Sequence, residues 1–279
     1  MQHTKHKKIM QKTVLITGAS AGIGKATAIY LAQNGYTVYG AARRVEKMQE
    51  LASYGIKPVA LDVTKDESIM ACVEQIFNEA GSIDILVNNA GFGSYGAIED
   101  VALSDAKYQL EVNVFGAMRL AQLVLPKMRE NRYGKIINVS SVGGKIASPL
   151  GGWYHASKFA LEALSDALRL EVQSFGVNVV VIQPGGTKSE WGNIALDSLL
   201  RVSGQTAYAG LVAGFRKSFE KVAGNVPEPI VIAKLIKTSI EAKNPKTRYS
   251  GGYMAKPMLF LRQILSDKLF DRMLLSQLK

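Results

Sequence analysis

Short apolar runs alternate with longer stretches of helical periodicity through the first two thirds of the chain. The short runs predict six strands, at residues 13–17, 37–41, 57–61, 84–88, 135–140 and 177–184. The stretches between them predict helices near residues 22–34, 45–53, 66–80, 104–129 and 153–174. This alternation is typical of βαβ units, and continuous runs such as "VVVI" suit strands that are buried on both faces. The pattern predicts an α/β fold, a doubly wound parallel sheet of about seven strands with helices on both faces.

The alternation ends after the sixth strand. Residues 186–226 are rich in glycine and mixed in pattern, and we expect helices and loops that form a lid over a cleft. Residues 230–242 predict another helix, and "KTRYSGG" predicts a last strand and turn. We therefore expect one domain over residues 13–252, a basic tail at residues 1–12 before it and an amphipathic C-terminal extension at residues 253–279 after it.

The C-terminal extension carries apolar residues at helical spacing. One face holds Met258, Leu261, Leu265, Leu269 and Met273, and the other holds Arg262, Lys268 and Arg272. Such an amphipathic segment can pack on protein or lie on a membrane surface. We expect packing on the body of the protein or on a second subunit rather than membrane association.

Composition indicates a soluble globular protein, with 47% hydrophobic and 20% charged residues among 279. The net charge of +11 lies mainly at the two ends. Four lysines stand in residues 1–12, and eight basic residues face two acidic ones in residues 243–279. Residues 13–242 hold 22 basic and 21 acidic residues and are nearly neutral. This distribution argues against a nucleic-acid partner, although the ends could touch an anionic membrane surface or partner.

The single cysteine, Cys72, excludes an intramolecular disulfide and a cysteine-based metal site. The N-terminus has lysines but no apolar stretch typical of a secretory signal, and no run approaches the roughly 20 apolar residues of a membrane span. We therefore expect a cytoplasmic protein.

A glycine-rich turn lies between the first predicted strand and helix. "TGASAGIG" places Gly18, Gly22 and Gly24 there, with Ser20 and Ile23 among them. Glycines at this point let a pyrophosphate approach the backbone N–H groups at the start of the helix. The context predicts a dinucleotide site.

The end of the second strand should contact the adenosine ribose. An acid there selects the 2′-hydroxyl of NAD, whereas an arginine accommodates the 2′-phosphate of NADP. Here Ala42 is followed by Arg43 and Arg44, which favours NADP(H) over NAD(H); alternatively, an arginine is merely solvated or pairs with Glu46. Asp62, followed by Val63, could bind the adenine amino group or cap the next helix.

Five motifs in order resemble the short-chain dehydrogenase/reductase family: "TGASAGIG", "NNAG" (88–91), Asn113 in "EVNVFG", "NVSS" (138–141) and "YHASK". The resemblance covers residues 13 to about 190, and the Gly-x3-Gly-x-Gly spacing is that of the family's main branch. It implies a Rossmann-fold catalytic domain, a dehydrogenase or reductase activity, and a homodimer or homotetramer.

The resemblance also implies the catalytic residues. Tyr154 transfers the proton, and Lys158, one helical turn later, holds the nicotinamide ribose and favours the phenolate, which lowers the pKa of Tyr154. Ser141, chosen over Ser140 for its spacing to Tyr154, polarises the carbonyl. Asn113 holds a water in the proton path or, alternatively, satisfies helix carbonyls as a buried amide.

Further cofactor contacts follow from the same resemblance, near the adenosine and the nicotinamide. They are Asn89, Ala90 and Gly91, then Pro184, Gly185, Thr187 and Ser189. Ser189 stands where many members have threonine. No metal is required, and His155 is expected on the helix surface rather than as a second base.

Apolar side chains predict a lipophilic alcohol, ketone or aldehyde as substrate. Those expected in the cleft are Trp153, Trp191, Leu196, Leu199 and Leu200, with core packing as the alternative for most. The C-terminus loosely resembles the subgroup of hydroxysteroid and retinol dehydrogenase-like members. Two rival functions are an NADP(H) sensor without significant turnover and a peripheral membrane protein.

Overall fold

The computed structural model describes residues 11–278. Its strands are β1 (Thr13–Thr17), β2 (Thr37–Ala42), β3 (Lys57–Ala60), β4 (Ile85–Asn88), β5 (Gly134–Val139), β6 (Val177–Pro184) and β7 (Arg248–Gly251). Within residues 11–278 these seven strands form one parallel sheet in the order β3-β2-β1-β4-β5-β6-β7. The predicted fold class is confirmed, including the seventh strand in "KTRYSGG".

Helices connect the strands and cover both faces of the sheet. They are α1 (Gly22–Gln33), α2 (Asp66–Ala80), α3 (Leu103–Leu110), α4 (Gly116–Glu130), α5 (Gly152–Val172), α6 (Glu190–Ser203), α7 (Ala209–Ala223), α8 (Ile230–Glu241), α9 (Ala255–Ile264) and α10 (Asp267–Ser276). Helices α1 and α8 pack on one face, and α2, α4 and α5 pack on the other. The helix predicted near residues 45–53 is a 3₁₀ helix, Val45–Tyr54.

Alternate residues of each strand enter two separate cores. Val14 and Ile16 of β1 face one core, and Leu15 between them faces the other, because successive side chains of a strand point to opposite faces. Cys72 is buried in the second core, where desolvation raises the pKa of its thiol to about 12. A thiol in that environment is inert.

The strand order places a cleft at the carboxyl ends of β1 and β4. The chain runs outward from β1 to β2 and β3, then returns to β4 on the other side of β1. Loops diverge at such a switch point, and ligands of open α/β sheets bind there.

The helix predicted over residues 104–129 is divided in the structure. α3 and α4 are joined by a turn of π-helix, Glu111–Phe115, with Asn113 at its centre. Periodicity alone cannot reveal one wide turn within a continuous helical segment. Such turns often occur at functional sites.

Helices α6 and α7 fill the region predicted as a lid. They pack on Tyr95 and Leu150 through a third apolar cluster that includes Leu199 and Val212. The cluster joins this region to the body of the protein.

The C-terminal extension forms two helices, α9 and α10, and packs on the body of the protein. Phe270, absent from the predicted apolar face, is its most buried large side chain, whereas Leu269 is half exposed. Leu278 lies so close to α7 that a Cβ on Gly214 would overlap its carbonyl oxygen. Of the predicted basic tail, residues 1–10 lie outside the described residues. No helix between residues 11 and 278 combines the length and the apolar character that a membrane span requires.

Candidate active site

The glycine turn is built tightly between β1 and α1. Gly18 and Gly22 have φ angles of 67° and 53°, a region that favours glycine. A Cβ on Gly24 would overlap the carbonyl oxygen of Gly18 and come within 2.5 Å of Asn89 Nδ2. The three glycines therefore allow the backbone to turn and the first turn of α1 to pack against it.

The "NNAG" segment braces this turn from β4. The backbone N–H groups of Asn89 and Ala90 donate to Thr17 Oγ1 at 3.0 and 2.9 Å, and Asn89 Nδ2 donates to the carbonyl of Thr17 at 2.9 Å. Asn88 donates instead to Asn138 Oδ1 and so links β4 to β5. Sequence reasoning missed Thr17, although it opens the glycine motif.

Two exposed arginines lie at the end of β2. Ala42 is buried, and Arg43 Nη1 donates to the hydroxyl of Tyr108 at 3.0 Å. Arg43 and Arg44 both line the cleft. The positive charge expected from the sequence is thus present at the edge of this site.

Asp62 closes a turn after β3. Its Oδ1 accepts from Thr64 N and Thr64 Oγ1 at 3.0 and 2.8 Å. Burial would raise the pKa of Asp62, but these hydrogen bonds and the nearby Arg43 lower it below its usual value. The helix-cap alternative is wrong, because Lys65 is the N-cap of α2.

Tyr154 lies in the first turn of α5 and faces the cleft. Its ring contacts Trp191 and Tyr95, with centroids 5.1 and 5.7 Å away. Burial raises the pKa of Tyr154 to about 12, and a hydrogen bond with Ser141 opposes that rise. In the protein by itself, desolvation of the phenolate outweighs the stabilising contacts, and the lowering that the resemblance implies for the complex with cofactor stays a prediction.

Lys158 is buried one turn after Tyr154. Its Nζ donates to the carbonyl oxygen of Val139 at the end of β5, at 2.9 Å. Burial lowers the pKa of Lys158 to about 8, and the charge of Glu162 acts in the opposite direction. The ammonium is thus held at a fixed place beside the phenol.

Asn113 lies behind Gly91 rather than on the cleft wall. Its Oδ1 accepts from Phe92 N at 3.0 Å, and its Nδ2 donates to Phe92 O and Ser157 Oγ, both at 2.9 Å. The amide therefore ties the π-turn to the "NNAG" loop and to α5. The amide is buried, but its partners are the backbone of Phe92 and the Ser157 hydroxyl rather than helix carbonyls, and its part in a proton path stays a prediction.

The two serines after β5 have different surroundings. Ser141 lies close enough to Tyr154 to oppose the rise of its pKa, and its Oγ accepts from Gly143 N at 3.0 Å and donates to Pro184 O at 3.5 Å. Ser140 Oγ is buried and has no hydrogen-bond partner among the described residues. Ser141 is thus the serine that faces the phenol.

The expectation for His155 is wrong. The ring is 7% exposed, and its Nδ1 and Nε2 lie 3.0 Å from Gly143 O and Ser148 Oγ. The loop after β5 contacts His155 through Gly143 and Ser148, so that this side chain is buried as well as that of Tyr154. Burial lowers the pKa of His155, which favours the neutral ring.

A single cleft of about 1030 Å³ joins these groups. All predicted site residues except Gly24 and Asn113 line it; they are Gly18, Ser20, Gly22, Ile23, Arg43, Arg44, Asp62, Val63, Asn89, Ala90, Gly91, Ser141, Tyr154, Lys158, Pro184, Gly185, Thr187 and Ser189. Thr187 Oγ1 donates to Gly185 O at 3.1 Å. Ser189 Cβ lies 3.2 Å from the place of a Cβ on Gly22, and so beside the glycine turn.

The other half of the cleft is largely apolar. Its wall is formed by Tyr95, Ile146, Pro149, Trp191, Phe215, Phe219, Val222, Val226, Tyr253, Met258, Leu274 and Leu278. Of the five residues predicted there, only Trp191 lines it. Leu196 and Leu199 pack in the third apolar cluster, as the core-packing alternative stated, Leu200 is exposed, and Trp153 lies outside the wall.

Three groups of the cleft are suited to acid–base chemistry: the phenol of Tyr154, the hydroxyl of Ser141 and the amine of Lys158. Residues 11–278 bring no three His, Cys, Asp or Glu side chains together in an arrangement that could hold a metal ion. A phenol, a hydroxyl and an ammonium can polarise a carbonyl oxygen and transfer a proton to or from it.

Comparisons with known proteins show the family of the chain. The family model for short chain dehydrogenase matches residues 12–196. The chain is 39% identical over 241 residues to a 3-ketodihydrosphingosine reductase of Bacteroides thetaiotaomicron, covering 86% of this chain and 87% of the relative. It is 32% identical to an NADPH-dependent 3-dehydrocapnine reductase of Ornithobacterium rhinotracheale, covering 95% and 96%. A crystal structure of a short-chain dehydrogenase from Streptomyces avermitilis superposes with a TM-score of 0.81 at 31% identity, covering 97% and 96%.

Proposed function

This chain belongs to the short-chain dehydrogenase/reductase family and is an oxidoreductase acting on CH–OH groups, and from that premise we propose that it uses NADPH to reduce a lipophilic ketone. One observation carries the proposal. Tyr154, Lys158 and Ser141 line one cleft together with the glycine turn and with apolar side chains, two of which, Tyr95 and Trp191, contact the ring of Tyr154.

The glycine turn has the features that a dinucleotide requires. Gly18 and Gly22 adopt positive φ, and the turn packs so closely that a side chain on Gly24 would fill it. We infer that backbone N–H groups at the start of α1 bind the pyrophosphate, and that Asp62 binds the adenine. When bound, the nicotinamide would supply a hydride to the carbonyl carbon.

Tyr154 has the protonation state that reduction needs. Because burial raises its pKa to about 12, the phenol is protonated near neutral pH. It can therefore donate a proton to the carbonyl oxygen as negative charge develops there. We infer that Ser141 donates a second hydrogen bond to that oxygen and stabilises the alkoxide.

Lys158 and Asn113 support this chemistry in our proposal. The Lys158 ammonium, held by the Val139 carbonyl, would bind the nicotinamide ribose and stabilise the phenolate that remains after proton transfer. Asn113 keeps the loop around Gly91 and helix α5 in register through Phe92 and Ser157.

The preference for NADPH rests on charge. Arg43 and Arg44 lie at the cleft edge after β2, where the buried Ala42 offers no carboxylate. A guanidinium suits a 2′-phosphate, whereas an acid would repel it. The name of the relative from Ornithobacterium rhinotracheale also states NADPH dependence.

The substrate class rests on the apolar half of the cleft. Phe215, Phe219 and Val222 of α7 line the cleft, and so do Met258, Leu274 and Leu278 of the C-terminal extension. An alkyl chain would bury apolar surface against these side chains, at about 25 cal/mol per Å². Two relatives are named as reductases of 3-ketodihydrosphingosine and 3-dehydrocapnine, and we propose a long-chain ketone here as well.

The test is NADPH oxidation with 3-ketodihydrosphingosine and with methyl ketones of increasing chain length. We expect turnover to rise with chain length, and Tyr154→Phe to lower kcat by about 10²–10⁴-fold while NADPH still binds. Tyr36→Phe, outside the cleft, is the matched control. Unchanged turnover in Tyr154→Phe would sink the mechanism, and cofactor binding without turnover of any ketone would favour a sensor.

A further inference from the structure

A buried carboxylate lies on the same stripe of α5 as the proposed proton-transfer residues. Glu162 is one helical turn after Lys158 and two turns after Tyr154, and it is 1% exposed. Residues four apart on a helix face the same way. Burial of a carboxylate is costly unless partners compensate for the lost water. Glu162 takes no part in the proton transfer proposed above.

Three side chains from different elements satisfy Glu162. Its Oε1 accepts from Gln183 Nε2 of β6 at 2.9 Å. Its Oε2 accepts from Arg248 Nε of β7 at 2.8 Å and pairs with Lys145 Nζ at 3.2 Å. Gln183 is itself fixed, because its Oε1 accepts from Ser250 Oγ at 2.8 Å. The carboxylate therefore ties α5 to two strands and to the loop that follows Ser141.

That loop packs directly on the turn of α5 between Lys158 and Glu162. A Cβ on Gly144 would lie 2.9 Å from Glu162 Cγ and 3.1 Å from the carbonyl oxygen of Lys158. The position of Ser141 and that of Lys158 are thus set by contacts with the same helical turn.

The charges around Lys158 make Glu162 its nearest balancing anion on α5. Lys158 Nζ donates to the carbonyl of Val139 and lies beside Gly91, as does Asn113 Oδ1; one turn away on α5 are Tyr154 and Glu162, and the charge of Glu162 opposes the lowering of the Lys158 pKa by burial. His155 is turned toward Gly143, and its lowered pKa favours the uncharged form.

Beyond Glu162 lie the cations Lys145 and Arg248. Asp166 lies there too and pairs with Arg248 and Arg169. Neutralising Glu162 alone would leave two cations near Lys158.

We propose that Glu162 is a positioning residue for the reaction: it fixes the turn of α5 that carries Lys158 against β6, β7 and the Ser141 loop, and its charge keeps the Lys158 amine protonated. The proposal rests on the proposed function for its catalytic meaning. The charge balance at Lys158 belongs to the folded chain alone and can be measured without cofactor or substrate.

The experiment is a titration of Lys158 by NMR on the full chain with carbon-13-labelled lysine, the signal being assigned with Lys158→Arg. In Glu162→Gln, which keeps the shape of the side chain and removes its charge, we expect the titration midpoint to fall by about half a pH unit or more. The alkaline limb of kcat/KM for ketone reduction should move by the same amount. A midpoint identical to that of the wild type in a folded Glu162→Gln protein would overturn the proposal.

Asp166→Asn is the matched control. Asp166 also pairs with Arg248, at 2.6 Å, but it lies one turn farther from Lys158. We expect the midpoint in this variant to remain within about a tenth of a unit of the wild type, since coupling falls with distance. An equal shift in both variants would overturn the specific role of Glu162.

A second variant covers the case in which Glu162→Gln fails to fold. Arg248→Gln removes a cation beside Glu162, so that the Lys158 midpoint should rise instead of fall; no rise would contradict the proposal. Because the NMR titrations need no turnover, their failure is distinguishable from failure of the proposed function, which Tyr154→Phe tests.

Discussion

At the scale of single residues, burial acts in opposite directions on the two titratable groups of the cleft. Desolvation raises the pKa of Tyr154 to about 12 and lowers that of Lys158 to about 8. Both changes favour the neutral form, as expected when a charged group loses water. Near neutral pH the phenol keeps its proton and most of the lysine remains an ammonium, which is the state that a carbonyl reduction requires.

The first prediction concerns pH. Because the lowered pKa of Lys158 is about 8, its amine loses its proton as the pH rises through 8, whereas Tyr154 remains protonated until about 12. We expect kcat/KM for ketone reduction to fall about tenfold per pH unit above pH 8. The measurement is a pH profile at saturating NADPH. In Lys158→Arg the side chain stays charged, so kcat/KM should not fall above pH 8. A fall that persists in this variant would mean that another group titrates.

The second prediction concerns Arg43, whose guanidinium is exposed at the cleft edge and contacts Tyr108. In Arg43→Ala we expect the Kd for NADPH to rise about tenfold or more through loss of a charge-assisted contact, worth about 1.5–3 kcal/mol. The Kd for NADH should change little. Tyr108→Phe is the control that removes only the hydroxyl partner. Equal affinity for the two cofactors in the wild type, unchanged by Arg43→Ala, would contradict the 2′-phosphate argument.

At the scale of elements, the junction of β1 and α1 leaves no room for a side chain at Gly24. A Cβ there would overlap the Gly18 carbonyl, and this overlap would force α1 away from the turn. In Gly24→Ala we expect overpacking of about 1–3 kcal/mol, seen as a lower Tm and a weaker affinity for NADPH. Gly224→Ala, with nothing within 4 Å of the added Cβ, is the control. NADPH affinity equal to the wild type in Gly24→Ala would contradict this account.

Strands and the glycine turn were predictable because each follows from local pattern. A run such as "VVVI" requires a position buried on both faces, and Gly18 and Gly22 occupy a turn that only glycine enters easily. The surroundings of His155 and Leu199 were not predictable from their own helices. They depend on the Ser148 loop and on Tyr95, which reach them from distant parts of the chain.

One feature of the site had a signal that sequence reasoning passed over, and a second feature had none. Glu162 lies on the same face of helix α5 as Tyr154 and Lys158. An acid on that buried face indicates a paired carboxylate, because burying an unpaired carboxylate would cost free energy of folding. The π-turn at Asn113 has no such signal. The width of a helical turn depends on tertiary contacts, here those of Asn113 with Phe92 and Ser157.

At the scale of the whole molecule, one cleft is assembled from both ends of the chain. The glycine turn after β1 forms one half, and α7 with the C-terminal extension forms the other. Tyr154 lines the same cleft. Self-association as a dimer or tetramer stays a prediction, and light scattering of the intact chain would measure it.

The last prediction concerns the contact that closes the apolar half. Gly214 of α7 packs against the backbone of Leu278, and a Cβ at this position would overlap the Leu278 carbonyl. Gly214→Ala should therefore displace the end of the extension, and with it the wall formed by Leu274 and Leu278. Loss of that apolar wall removes binding energy that is common to the ground and transition states, which raises KM more than it lowers kcat.

Gly210→Ala, one turn earlier on the same helix, supplies the matched control, because its Cβ would meet nothing within 4 Å. With 3-ketodihydrosphingosine we expect KM to rise about tenfold in Gly214→Ala, which corresponds to a loss of about 1.4 kcal/mol of binding free energy through overpacking. In Gly210→Ala we expect KM to stay near the wild-type value. Short methyl ketones, which do not reach this wall, should show no difference between the two variants. Equal KM values for the long-chain ketone in both variants would exclude the extension from substrate binding.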